Sequence, residues 1–238
     1  MILTVLVSGC AGSASREEDP STLSSTTSST TASTTSSTTS PATSSTTSTT
    51  VPPSTTTTVY VPRYVFPFIG RTVSYPTGHH TYQAVDVFGC GATVIAPTDG
   101  VVQETRDVDL WSPDTNNPAH RGGRYVSLIG DDGVRYYFAH LAEVDAVAGQ
   151  RVAPGDVLGV MGQSGDARLS VCHTHLGISR PCPGKEWQVR RGEIWPQPYL
   201  DDWRKGIPTS PAPEVAANAV AHPTTCDDAV AAPHAAEA

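Results

Sequence analysis

Residues 125–138 read Tyr-Val-Ser-Leu-Ile-Gly-Asp-Asp-Gly-Val-Arg-Tyr-Tyr-Phe, two runs rich in β-branched and aromatic residues on either side of a Gly-Asp-Asp-Gly turn. Such runs favour strands, while glycine and aspartate adopt the backbone conformations that a tight turn requires. The segment therefore predicts a β-hairpin, with strands at Tyr125–Ile129 and Val134–His140.

The same pattern extends along the neighbouring chain. Short apolar runs bounded by Gly, Pro and Asp recur between Tyr60 and Gly206, and no helical stripe there is longer than two turns. Further strands are predicted at Ala84–Phe88, Thr93–Ala96, Gly100–Glu104, Val157–Met161 and His173–Ser179. We expect an all-β fold, an antiparallel β-sheet domain over residues 60–206.

The segments on both sides of this domain differ from it in composition. From Ser24 to Thr50 nearly every residue is Ser or Thr, so residues 11–59 have little to bury and are expected to form a disordered tether. Residues 207–238 are mainly Ala and Pro with scattered acids, and they are expected to form a disordered tail.

The charge of the chain excludes one class of partner. The 238 residues hold 15 Lys and Arg against 23 Asp and Glu, which gives a net charge of -8 and an isoelectric point of about 5.4. Phosphate backbones are bound by basic stripes, so we expect no nucleic-acid partner.

The first ten residues indicate export. An apolar stretch ends in Val7-Ser8-Gly9-Cys10, which resembles the bacterial lipobox, in which small residues precede a lipidated cysteine. The resemblance implies a signal over residues 1–10 and a membrane anchor on Cys10, and hence an extracytoplasmic protein, either lipid-anchored or secreted. The basic residues that usually begin such a signal are absent, which a start codon assigned too far downstream would explain.

Four cysteines remain for disulfide bonds in an exported chain: Cys90, Cys172, Cys182 and Cys226. They allow three complete pairings, and the closeness in sequence of Cys172 and Cys182 favours a bond between those two. A thiolate metal site is disfavoured because the chain has no Cys-x-x-Cys pair.

The histidines point to a metal site. His173 and His175 are two positions apart in a predicted strand, so their side chains share one face. Two exposed polar positions would give the same pattern, but Asp86, with His79 and His80 before it, completes a His/His/Asp set. Zinc accepts such ligands, and three protein ligands with one open position are typical of a catalytic zinc site.

The order of these motifs resembles the lysostaphin-type (LytM-like) zinc endopeptidases that cut peptidoglycan peptides. The resemblance runs from Tyr82 to Ser179 through the segments 82–88, 91–102, 137–141, 152–165 and 172–178. It implies a β-sheet fold, a Zn²⁺ cofactor with Asp86 and His175 as ligands, and His140 and His173 as the catalytic pair that orients the attacking water and stabilises the developing oxyanion.

One position departs from the family pattern. Tyr82 stands where the family has its first histidine ligand, four residues before Asp86. We take His80 as the replacement, with His79 as the alternative and no third protein ligand as the remaining case. In a straight strand His80 would lie about 20 Å from Asp86, so a bend between them is required. Gly177 is a second departure, since many members carry an aromatic or acidic residue just after the His-x-His motif.

Two functions follow. The first is a monomeric zinc metalloendopeptidase that hydrolyses peptide bonds of peptidoglycan, and the second is an inactive peptidase-like domain that binds the envelope or activates an amidase. The long polar loop Asp107–Gly123 is predicted to form a wall of the substrate groove. Arg190 and Arg191 are either contacts for peptide carboxylates or an exposed basic pair.

Overall fold

The computed structural model describes residues 61–77, 79, 81–183 and 186–231. The tether, the lipobox-like segment with Cys10, and the predicted ligand His80 lie outside these residues. Ten strands, four α-helices and two short 3-10 helices are present among the described residues. The strands are β1 Phe68–Ile69, β2 Val85–Phe88, β3 Thr93–Ile95, β4 Gly100–Arg106, β5 Tyr125–Gly130, β6 Arg135–Ala139, β7 Leu141–Val144, β8 Arg151–Val152, β9 Val157–Met161 and β10 His173–Ser179.

The strands form two antiparallel sheets, which confirms the predicted all-β class. A six-stranded sheet has the order β2-β10-β6-β5-β4-β8, and a four-stranded sheet has the order β1-β3-β9-β7. The hairpin β5–β6 pairs Ile129 with Arg135, and its turn is closed by the bond from the Gly133 amide to the Gly130 carbonyl. All seven predicted strands are present, with ends within two residues of the predicted ones.

One hydrophobic core takes side chains from both sheets. Val94 and Leu158 of the four-stranded sheet belong to the same fully buried cluster as Leu128, Phe138 and Leu176 of the six-stranded sheet. Burying a side chain of this size stabilises the fold by about 1.5 to 3 kcal/mol relative to leaving it exposed. The core therefore fixes the two sheets against each other, which matters for a site built at their junction.

The chain passes from one sheet to the other at His140. The predicted strand Val134–His140 stops at Ala139, because His140 adopts a φ of +63°, a conformation that breaks the strand. The next residues form β7 in the other sheet. A non-glycine residue in this region costs on the order of 1 to 3 kcal/mol and is found most often at functional sites.

The helices follow the last strand: α1 Trp187–Arg190, α2 Gln197–Arg204, α3 Ala212–Ala221 and α4 Thr225–Ala231. Helices α3 and α4 occupy most of the segment that was expected to be a disordered tail, so that expectation is corrected for residues 212–231. Residues 232–238 lie outside the described part of the chain.

Long-range contacts hold these two helices, and composition could not reveal them. Arg180 donates to the side-chain oxygen of Asn218 at 2.7 Å and to the carbonyl of His222 at 2.9 Å. Val215 is buried, and Cys226 of α4 forms a disulfide with Cys182. The Ala-rich composition that resembles a tail is also that of a short helix, for which alanine has the highest propensity.

The favoured pairing of Cys172 with Cys182 is wrong. The disulfides are Cys90–Cys172 and Cys182–Cys226. The extended strand β10 lies between Cys172 and Cys182, and at about 3.3 Å per residue it holds them far beyond the reach of a disulfide. Closeness in sequence is a poor guide when a strand lies between two cysteines.

Among the residues described, none of the helices has the length and apolar character that crossing a membrane requires.

Candidate metal centre and catalytic cleft

Strand register brings the central residues together. Strand β10 lies between β2 and β6, and this register pairs His175 with Asp86 on one side and with Ala139 on the other. Directly paired residues present their side chains on one face, as do residues two apart along a strand. Asp86, His173 and His175 therefore project together, as predicted, and His140 follows immediately at the end of β6.

Among the described residues, the third side chain that could bind a metal ion together with Asp86 and His175 is His79, and we call these three residues the donor set. Donor atoms of His79, Asp86 and His175 all lie within 4.8 Å of one another. The His79 Nε2 atom is 3.8 Å from Asp86 Oδ2, and the His79 ring centre is 5.4 Å from that of His175. The chain bends at residues 81–83 before β2 begins, and this is the bend that the sequence required. The donor set thus contains the alternative that the sequence analysis kept open.

The hydrogen bonds of His175 leave one ring nitrogen for a cation. Its Nε2 atom is 2.8 Å from the backbone carbonyl of Arg191, which can only accept, so Nε2 carries the hydrogen. In the neutral ring Nδ1 is then an acceptor, and it lies 3.0 Å from the Asp86 carboxylate oxygen, another acceptor. Two acceptors at this distance require a proton or a metal ion between them.

This spacing fits zinc. Two ligand atoms of a tetrahedral zinc ion, each bound at about 2.0 to 2.1 Å, stand roughly 3.3 Å apart. Histidine nitrogens and a carboxylate oxygen are also ligand types that zinc accepts. The residues present therefore fit the ion that the sequence motifs imply.

The environment keeps Asp86 ionised. Burial raises the pKa of its carboxyl group, but when the neighbouring rings carry a proton, the hydrogen bond from His175 and the charges of His175, His173 and His79 outweigh burial and lower the pKa to about 2. A carboxylate that stays charged at every physiological pH is suited to bind a cation.

Two further histidines face the same cleft. The rings of His140 and His173 have centres 4.8 Å apart. His140 Nδ1 is 2.9 Å from the carbonyl of Ser164, and His173 Nδ1 is 2.7 Å from the carbonyl of Val171. Each ring therefore donates from Nδ1 to a carbonyl and keeps an acceptor at Nε2, and His173 Nε2 lies 3.8 Å from Asp86 Oδ1.

His140 is a neutral imidazole at physiological pH. Burial lowers its pKa, the charges of His175 and His173 lower it further, and the bond to the Ser164 carbonyl opposes them, which leaves the pKa at about 3. A neutral ring with its free nitrogen at Nε2 can accept a hydrogen bond from water.

The structure explains why residue 177 is a glycine. A Cβ atom at this position would lie 2.4 Å from the backbone oxygen of Arg191, so only glycine lets the end of α1 approach β10. That oxygen is the acceptor for His175 Nε2. The backbone of Arg191 therefore orients His175, and the absence of a side chain at residue 177 is what makes this contact possible.

We expect Gly177→Ala to weaken metal binding by about 10- to 100-fold, the usual cost of losing the partner that orients a ligand. The added methyl group pushes the Arg191 carbonyl away from His175. A competition titration with a zinc chelator measures the change. Gly133→Ala is the control for general destabilisation, because its φ of +77° disfavours alanine while a Cβ there meets nothing within 4 Å. Equal zinc affinity in Gly177→Ala and the wild type would contradict this role of the Arg191 carbonyl.

The donor set and the two further histidines lie in one cleft of about 370 Å³: His79, Asp86, His140, His173 and His175. The loop Asp107–Gly123 contributes Pro118, Ala119, Arg121 and Gly122 to its lining, as predicted for a groove wall. Tyr82 lines the cleft too, with its ring centre 4.4 Å from that of His79 and 5.7 Å from that of His175. The residue at the family's ligand position is thus a neighbour of the donor set rather than a member of it.

Comparison with known families agrees with this geometry. Residues 80–188 match the model described as peptidase family M23. Over these residues the β domain is similar to that family. The match covers the strands β2 to β10 and therefore holds Asp86, His140, His173 and His175. No curated protein matches the chain significantly.

Several solved structures are similar to this β domain. The catalytic domain of lysostaphin from Staphylococcus simulans is 22% identical over 55% of this chain and 92% of its own, with a TM-score of 0.41. The complete lysostaphin is 23% identical over 56% of this chain and 50% of its own, with a TM-score of 0.43. A zinc-containing peptidase from Vibrio cholerae is 19% identical over 56% of this chain and 38% of its own, with a TM-score of 0.39.

Proposed function

We propose that this protein is a zinc-dependent endopeptidase that hydrolyses peptide bonds of peptidoglycan. The observation that carries the proposal is the pair of acceptors, His175 Nδ1 and Asp86 Oδ1, 3.0 Å apart, with two more histidines, His140 and His173, aimed at the same cleft. The inactive alternative depended on the absence of a third protein ligand, and the position of His79 argues against that.

In this proposal His79, Asp86 and His175 hold the ion. When bound, zinc supplies a Lewis acid that polarises the scissile carbonyl and lowers the pKa of a water ligand toward neutrality. The Arg191 carbonyl keeps the His175 ring in the tautomer that leaves Nδ1 free.

The other two histidines orient the attacking water and transfer its proton. Neutral His140 accepts a hydrogen bond from the attacking water at Nε2 and orients it. His173 takes up the proton at Nε2, because the imidazolium formed there faces the Asp86 carboxylate at 3.8 Å. Once protonated, the same nitrogen is a donor that can stabilise the developing oxyanion and pass the proton to the leaving amine.

A zinc assay and a hydrolysis assay on the full chain test this function. We expect purified protein to bind one zinc ion per chain and to release soluble peptides from peptidoglycan. Removing the metal with a chelator should abolish the release, and one equivalent of zinc should restore it. A folded protein that binds no zinc, or one whose wall hydrolysis survives complete zinc removal, would contradict the proposal.

The place of action is also part of the proposal. Two disulfides among the described residues are typical of an oxidising compartment, which agrees with an exported wall enzyme. Lipid anchoring rests on Cys10, outside the described residues, and would be contradicted if the full-length chain in its native host did not sediment with membranes.

A further inference from the structure

A guanidinium group lies in the cleft without an anionic partner. The Arg191 side chain stacks on two aromatic rings, with its Cζ atom 4.2 Å from the ring centre of Tyr82 and 5.2 Å from that of Trp187. Over residues 61–77, 79, 81–183 and 186–231 its guanidinium makes no hydrogen bond and no ion pair. Cation–π contacts hold the group in place but use none of its five N–H donors.

The guanidinium of the neighbouring Arg190, in contrast, has hydrogen-bond partners within the protein. The Arg190 guanidinium is buried and donates to the Glu104 carboxylate at 2.7 Å and to the Tyr125 hydroxyl at 3.0 Å. It therefore belongs to the framework of the cleft floor. The sequence does not distinguish these two adjacent arginines. In the structure Arg190 is a framework residue, whereas the N–H donors of Arg191 are available to a ligand.

We propose that Arg191 binds a free carboxylate of the peptide substrate, so that this enzyme selects peptides with an acidic group close to the scissile bond. The proposal rests on the proposed function and deepens it by naming the substrate class. A planar guanidinium pairs with a carboxylate through two parallel hydrogen bonds, and rings that fix its plane reduce the entropy lost on pairing.

The position of Arg191 sets where that carboxylate lies. The Tyr82 ring is a neighbour of both groups, with its centre 4.2 Å from the Arg191 Cζ atom and 5.7 Å from the ring centre of His175. An extended peptide advances about 3.3 Å per residue. The carboxylate should therefore belong to a residue within about three positions of the bond that is cut.

The group is open to ligand from two sides. Arg191 and Tyr82 line the metal cleft and also a second cavity of about 590 Å³, whose far wall includes Asn218 and His222. The acidic residues that line these cavities are Asp86, Asp166, Glu193 and Asp228, and none of them forms an ion pair with Arg191. A carboxylate from a ligand would thus be the ion-pair partner that these four acidic residues do not provide to Arg191.

The test compares two forms of one substrate. Muropeptides with free carboxyl groups, and the same muropeptides after conversion of those groups to carboxamides, are offered to the wild-type protein and to Arg191→Gln. We expect the wild type to prefer the acidic form by about 10- to 100-fold in kcat/KM, the range of a charge-assisted hydrogen bond. In Arg191→Gln the ratio should fall to near 1, and Arg191→Lys should lie between, because lysine keeps the charge without the fork.

Arg121→Gln is the matched control. Arg121 lines the same cleft, but it already donates to the Asn116 side chain at 3.1 Å and lies 4.0 Å from the Asp166 carboxylate. We expect this variant to keep the preference for acidic peptides. Equal loss of the preference in both variants would indicate a general positive field and would overturn a specific carboxylate site at Arg191.

A binding measurement separates this proposal from the hydrolase itself. Calorimetric titration of His173→Ala, in which turnover should be slowed at least about 100-fold, measures affinity for the two muropeptide forms directly. If the wild type cleaves both forms equally, the carboxylate site is wrong and the hydrolase stands. If nothing is cleaved but the acidic form binds more tightly through Arg191, the hydrolase is wrong and the carboxylate site stands.

Discussion

Replacing Asp86 with Ala is expected to lower zinc affinity by at least about 100-fold and to abolish wall hydrolysis. Asp86 is the only anion in the donor set, and its oxygens lie 3.0 Å from His175, 3.8 Å from His79 and 3.8 Å from His173. Loss of a partner that only orients a ligand already costs about 10- to 100-fold. Loss of a ligand that also carries the charge should reach at least the upper end of that range.

The measurement is zinc content after dialysis, followed by competition with a chromophoric chelator. Asp166→Asn is the matched control, because Asp166 lines the same cleft but is not a member of the donor set. Asp166→Asn should keep one zinc ion per chain. Wild-type zinc affinity in Asp86→Ala would show that the ion, if one binds, is held elsewhere.

Replacing His140 or His173 should lower turnover without loss of zinc, in contrast to Asp86→Ala. We expect replacement of either to lower kcat by about 10²- to 10⁴-fold, the usual contribution of general acid–base groups, while zinc content stays at the wild-type level. Both rings are oriented by backbone carbonyls and present Nε2 to the cleft, and neither belongs to the donor set of His79, Asp86 and His175.

The choice of substitution matters at His140. Its backbone has a φ of +63°, which asparagine tolerates better than alanine, so His140→Asn separates loss of the imidazole from backbone strain. His173 lies in a regular strand and can be changed to Ala. His120→Ala is the control, since His120 lies in the groove loop but does not line the cleft. Loss of zinc from His140→Asn, or turnover unchanged in both variants, would contradict the assigned roles.

The regular part of the fold could be predicted because its signals are local. The β-branched and aromatic run Tyr125–Ile129 and the spacing of His173 and His175 each depend on a few neighbouring residues, and both segments are strands in the structure. The opposition of Asp86 and His175 follows from pairing two such strands. Strand periodicity thus gave two of the three donors and the face that they share.

The features that the sequence did not predict depend on contacts between residues that are distant in the chain. His79 reaches the donor set through a bend that has no repeating pattern. The sequence favoured His80, which lies outside the described residues, and kept His79 as the alternative. Cys90 and Cys172 pair across 82 positions, and helix α4 is tied to the domain by Cys226. The role of Arg191 depends on a backbone oxygen that approaches only because residue 177 is glycine. Neither a periodicity nor a motif encodes such an approach.

The disulfide between Cys90 and Cys172 has a consequence for how the protein acquires its metal. Cys90 follows the end of β2, and Cys172 immediately precedes β10, where His173 pairs with Phe88. A slip of one residue between these strands would turn Asp86 to the opposite face from His175. In small zinc domains the ion itself drives folding, so the empty chain is unfolded. Here a covalent bond fixes the strand alignment beforehand, so in the proposed zinc enzyme Asp86 and His175 would face each other before any metal binds.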